Sequence, residues 1–170
     1  MLATASVRRF GYGSMVLDGP GSVVSGPGVR TTLTFLRHSD VPSFSSVDEA
    51  YSWAQMRLKE GRHLEAISAL EDIVTRSPGH DLADNSVYWI GWAHQQRGDH
   101  KLAVDVWQRL PLRFARSAKV PDALFGMAQS HEAMGEPAVA ETLYEQLIAQ
   151  YPKADRVKDA KKALARLRPR

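Results

Sequence analysis

Cysteine is missing from the 170-residue sequence. That excludes disulfide bonds, thiolate metal ligands and a cysteine nucleophile, and with them the acylated cysteine of a bacterial lipoprotein. No run of 18 or more apolar residues occurs, so no segment reads as a membrane-spanning helix. Catalytic motifs begin and fail. Gly21-Ser-Val-Val-Ser-Gly26 has the glycine spacing of a phosphate-binding loop, but Pro27 stands where a lysine must reach the phosphates. His131-Glu132 opens a zinc-protease motif, yet Gly135 occupies the second histidine position, and one histidine cannot hold a catalytic zinc. With no Ser/His/Asp set and no carboxylate pair, the expectation is a protein without catalysis, cofactor or metal.

What the sequence does contain is a period. Gly61, Gly98 and Gly135 stand 37 residues apart, and so do Ala66, Ala103 and Ala140. Ala54, Gly91 and Ala128 hold the same register, as do the bulky Leu70, Trp107 and Tyr144; Pro78, Ala115 and Pro152 close the units. A period of this size marks helical units that bury their apolar faces only by stacking on one another. Small residue, turn glycine, small residue, bulky residue and closing proline together resemble the tetratricopeptide pattern. The expected fold is therefore all-α: a right-handed superhelix of three helix pairs over 46–152 and a capping helix within 153–170.

Local physics supports each unit. Tyr51, Ala54 and Leu58 recur at helical spacing beside Trp53. Ser46 and Glu49 have capping-box spacing, which places the first helix start near Ser46. Each turn glycine takes a positive φ at little steric cost, and Ser77-Pro78-Gly79 stops the second helix. The reading places helices over 47–59, 63–76, 83–96, 100–113, 119–133, 137–150 and 154–167. His94 and His131, one period apart, are expected as packed or hydrogen-bonded core histidines rather than a metal pair.

Over 48–167 the chain resembles the C-terminal domain of the Tol-Pal-associated cell-division coordinator family (YbgF/CpoB-like). Ala50-Tyr51, the run from Gly98 to Ala103, Leu143-Tyr144, Ile148 and Tyr151-Pro152-Lys153-Ala154 carry the likeness. The resemblance implies a periplasmic adaptor whose partners are Tol-Pal components or peptidoglycan synthesis enzymes. It also implies a concave groove for protein segments, lined by Tyr51, Gln55 and Leu58, by Tyr88, Trp92 and Gln95, and by Phe125, Gln129 and Glu132. Members of that family carry a signal peptide and a trimerising coiled coil; this sequence shows neither clearly, so a monomer is expected and a cytoplasmic scaffold is the alternative.

Residues 1–45 differ in kind, interleaving Gly11, Gly13, Gly19, Gly21, Gly26 and Gly28 with Pro20 and Pro27. Such sequence buries too little apolar area to offset its ordering entropy, so a disordered tail is expected. Only Thr31–Leu36 has a strand-like run. Charge is uneven beneath a formal net of +3: residues 48–152 hold 10 basic and 15 acidic side chains, whereas 153–170 hold 8 and 2. The basic end allows an anionic lipid or nucleic-acid partner. The preferred reading is the solvated face of a capping helix, with nucleic acid an unlikely partner.

Overall fold

The computed structural model describes residues 6–9, 15–18 and 41–168. Strands β1 (Ser6–Arg9) and β2 (Met15–Asp18) pair antiparallel, Ser6 opposite Asp18 and Arg9 opposite Met15. The rest of the expected tail up to residue 40, Thr31–Leu36 included, lies outside the described residues. Residues 41–45 belong to the helical body instead, because Val41 and Phe44 pack against its core and the Phe44 ring sits 5.4 Å from that of Trp53.

The helices are α1 (Val47–Lys59), α2 (His63–Arg76), α3 (Ala83–Gln96), α4 (His100–Trp107), α5 (Arg109–Arg113), α6 (Val120–Ala133), α7 (Pro137–Gln150) and α8 (Val157–Leu167). Pairs α1/α2, α3/α4 and α6/α7 form hairpins, and α2 packs on α3, α4 on α6 and α7 on α8. The fold is the expected all-α repeat array. Within each hairpin the turn glycine takes φ of +74°, +81° or +78°. The following N–H then reaches back five residues: Arg62 to the Arg57 carbonyl, Asp99 to His94 and Glu136 to His131, each at 2.9 Å.

Three details depart from the sequence reading. The helix expected over 100–113 is two, α4 and α5, because Pro111 has no N–H for the Trp107 carbonyl and its ring crowds that carbonyl. The last helix starts at Val157, three residues later than expected, after turns over 152–156. The capping box is displaced as well. Ser46 Oγ accepts from the Glu49 N–H at 3.2 Å as expected, but Glu49 accepts from the N–H and hydroxyl of Ser45, at 2.8 and 2.7 Å.

Small residues decide how closely the helices approach. Ala54, Ala66, Ala103, Ala128 and Ala140 are fully buried, as are the bulky Leu70, Trp107 and Tyr144 of their units. The middle unit holds the largest of these, and its clearance is correspondingly greater. A methyl group built on Gly91 would meet the five-membered ring of the Trp107 indole well inside contact distance, and one on Gly126 would meet the six-membered ring. The indole thus lies between α3 of its own unit and α6 of the next, its Nε1 donating to the Tyr88 carbonyl at 3.0 Å. Trp107 locks two units together, which the 37-residue period does not reveal.

At the C-terminal end, α8 occupies the register of a further first helix. Lys161 and Lys162 stand where α6 has Leu124 and Phe125, which turns an apolar face polar. Buried Ala160 with half-buried Val157 and Leu164 provides the contact with α7.

Candidate functional site

First helices α1, α3 and α6 carry the nine groove positions in three registers, and each register has a different fate. Tyr51, Tyr88 and Phe125 pack between successive elements. Tyr51 packs partly buried against the core, Tyr88 is buried with its ring 5.2 Å from Trp89, and Phe125 lies 5.5 Å from Tyr144.

The second register, Leu58, Gln95 and Glu132, is consumed internally. Leu58 is buried in the core. Gln95 Nε2 donates across to α6, to the Gly126 carbonyl at 3.1 Å and Ser130 Oγ at 3.2 Å. Glu132 accepts from the Tyr144 hydroxyl at 2.6 Å and from Arg166 of α8. Burial, with the bond to Glu132, pushes the Tyr144 phenol well above its ordinary range. Gln95 and Glu132 therefore join each unit to the next.

Gln55, Trp92 and Gln129, the third register, turn outward to different degrees. Gln129 is exposed, Trp92 half-buried, and the Gln55 amide nitrogen is buried without a hydrogen-bond partner. Trp92 is not an isolated ring: it meets Trp89 edge-on at 5.5 Å and His63 at 5.8 Å. Its removal costs stability as well as any surface it offers.

Between α3 and α6 these residues border a cleft of about 170 Å³, lined by Tyr88, Trp92, Gln95, Phe125 and Gln129 together with Gln96, Asp122 and Arg156. Tyr51, Gln55, Leu58 and Glu132 do not line it. Arg156, placed by sequence in the basic tail, closes one end: its Nε bonds Asp122 Oδ1 at 2.7 Å and its guanidinium lies 5.3 Å from the Phe125 ring centre. Lys119 sits at the same distance over Tyr88. Lys119 and Arg156 are one period apart, as are the rings beneath them, so this pairing was present in the sequence as a 37-residue register. Trp89 had only its aromatic character to mark it.

Residues 86–117 and 122–154 each match the family model for the tetratricopeptide repeat. Solved structures agree on the fold. MamA matches with a TM-score of 0.59 at 21% identity, over 72% of this chain and 66% of that one. The type III secretion translocator chaperone SycD of Yersinia enterocolitica gives 0.60 at 19%, over 74% and 93%. The N-terminal domain of stress-induced protein-1 from C. elegans gives 0.57 at 10%, over 71% and 98%. No curated protein matches the chain in sequence.

Beside the repeats, three arginines of the basic C-terminal cluster are paired internally. Arg156 holds Asp122, Arg166 holds Glu132, and Arg168 holds Glu141 and Glu145 at 2.6 and 2.8 Å. These bonds tie α8 to α6 and α7.

The two equivalent histidines have separate roles. His131 Nδ1 pairs with Glu136 at 2.6 Å. His94 is buried with neither ring nitrogen hydrogen-bonded, its nearest carboxylate being Asp99 at 3.8 Å, itself held by Arg97 at 2.8 Å. Among the described residues no cluster of three metal-ligating side chains occurs. Burial lowers the His94 pKa more than Asp99 raises it, and burial together with Arg97 lowers that of His63. Both therefore protonate more readily in the unfolded chain. Their stabilisation is complete above the unfolded value of about 6.5 and declines as pH falls from there through the lowered folded values. Urea midpoints at pH 7.5, 6.5 and 5.5 should fall in that order, and His94→Gln should flatten the slope. A slope unchanged in that variant would contradict the assignment.

Proposed function

We propose that this protein is a non-catalytic adaptor that holds a segment of a partner protein in the cleft between α3 and α6. The observation that carries the reading is the cleft itself: an aromatic wall of Tyr88, Trp92 and Phe125 beside the amides of Gln96 and Gln129. Rings bury apolar anchors, and amides hydrogen-bond a peptide backbone. The chaperone named among the structural neighbours is consistent with protein handling. The resemblance to the Tol-Pal coordinator family extends the proposal to the periplasm and to partners in envelope division. Adjacency of the gene to the Tol-Pal genes would support that extension, and a cytoplasmic gene neighbourhood would favour a general scaffold.

Two variants test the cleft. Trp92→Ala should weaken partner binding by more than about 1 kcal/mol, since tryptophan is enriched among the residues that dominate interfaces. Because Trp92 also touches His63 and Trp89, Gln129→Arg on the exposed face provides a variant with an unchanged melt. Binding is measured by pull-down beside a thermal melt. Partners retained by both folded variants would overturn the assignment.

A further inference from the structure

The edge of the array where one repeat passes to the next changes character after the second unit. In the first unit Arg76, at the end of α2, is neutralised by Asp72 one turn earlier, at 2.7 Å. One period on, the same two places hold Arg113 and Arg109, so a second cation stands where the acid was. Arg116 and Lys119 continue the run through the turn into α6, and no acidic residue occurs between Asp105 and Asp122. Lys153 and Arg156 fill the corresponding places of the third unit. The two turns lie side by side, since Ala118, Pro121 and Asp122 border the same hollow as Lys153, Asp155 and Arg156. Together residues 109–122 and 153–159 hold seven basic and three acidic side chains.

Internal pairing leaves that excess in place. Asp122 and Asp159 both go to Arg156, at 2.7 and 3.8 Å. Arg113, Arg116, Lys119 and Lys153 form no ion pair among the described residues, and neither does Asp155. Arg113 and Lys119 lie over the rings of Phe114 and Tyr88, at 5.9 and 5.3 Å, and a ring face orders a cation without neutralising it. Leu112 stands in the middle of this run, 83% exposed, against 44% for the next most exposed large apolar side chains, Met56 and Val139. Its equivalents in the other units are Thr75 and Ala149. A lone exposed leucine is ordinary. One flanked by unpaired cations is the pattern of a segment that lies in a membrane interface, its apolar part below the headgroups and its charges among them.

We infer that this edge docks on an anionic lipid surface, with Arg113, Arg116, Lys119 and Lys153 meeting lipid phosphates and Leu112 entering the headgroup layer. Lipid is favoured over nucleic acid because the exposed apolar group is aliphatic. The nearest ring, Phe114, is half-buried beneath Arg113 and offers no face for bases to stack on. The inference does not depend on what fills the cleft. It adds a place to it: Asp122 and Arg156 border both the cleft and this edge, so docking holds that end of the cleft near the lipid.

The test is flotation of the full chain with phosphatidylcholine vesicles, with and without phosphatidylglycerol. The parent should float only with the anionic vesicles and be released as salt rises. Arg113→Gln with Arg116→Gln should weaken binding about 25-fold, taking roughly fivefold for each cation near an anionic surface. Lys161→Gln with Lys162→Gln, on α8, should change it far less, and both double variants should melt like the parent. The chain has no cysteine, so Leu112→Cys carries a polarity-sensitive dye at one place. That dye should shift to the blue on anionic vesicles, whereas the same dye on Met56→Cys, on α1, should not move. Equal loss in the two double variants would reduce the effect to net charge and overturn the assignment. So would an unmoved dye at 112, no flotation at all, or capture of single-stranded RNA in preference to the vesicles.

Discussion

Trp107→Ala is expected to cost about 3–5 kcal/mol of folding stability, the range for deleting a large buried aromatic. The Trp107 side chain is among the largest fully buried in the structure, and its indole fills the gap between Gly91 and Gly126. Removal leaves two helices facing each other across glycines, which have no side chain to collapse into the void. The Tyr88 carbonyl loses its indole donor as well. Since a domain of this size is stable by only about 5–15 kcal/mol, the variant should be close to unfolded near body temperature. The loss should also uncouple the second and third repeats, broadening the urea transition. A melt within a few degrees of the parent would show that Trp107 is not the wedge described.

Gly91→Ala should destabilise by about 1–3 kcal/mol, the cost of forcing extra volume into a packed contact. The direction is unusual, because glycine to alanine inside a helix ordinarily stabilises by up to ~1 kcal/mol. Overpacking prevails because the new methyl group meets the ring of Trp107 rather than the end of a flexible chain. The first repeat shows the compensating pair, Ala54 with Leu70. A double variant, Gly91→Ala with Trp107→Leu, should therefore be less destabilised than the sum of its parts, a coupling readable in a double-mutant cycle. Additive losses would mean that Gly91 and Trp107 do not share the contact.

The period in the sequence contained the hairpins, the glycine turns and the small-to-bulky contacts within each unit, since these depend on neighbours at fixed short separations. Contacts between units were harder to read. Gly126 clears space for a tryptophan 19 residues earlier in a different repeat, and nothing in its own unit calls for a glycine. The groove was legible to the level of the face but not the register. Tyr51, Leu58, Gln95 and Glu132 share helix faces with Trp92 and Gln129, yet the same face both lines the cleft and meets the next unit. Only the geometry separates a Gln that bonds α6 from one that faces outward. Arg156 was read as part of a charged tail because its partner, Asp122, lies 34 residues away. Pro111 was visible from the start; its break in the fourth helix follows from a missing N–H and needs no tertiary information.

The residues at the Leu58, Gln95 and Glu132 register give the array a chemical polarity along its length. The first position is apolar, the second a neutral amide bridging two helices, and the third an ionic joint to Arg166. In a linear array each such junction adds its own nearest-neighbour contribution to stability. Ionic strength weakens only the exposed ionic joint, whereas cooling weakens chiefly the apolar one. Raised salt should thus fray the chain from α8 inward, and cold should loosen it from α1, so that one molecule unzips from opposite ends according to the solvent it meets.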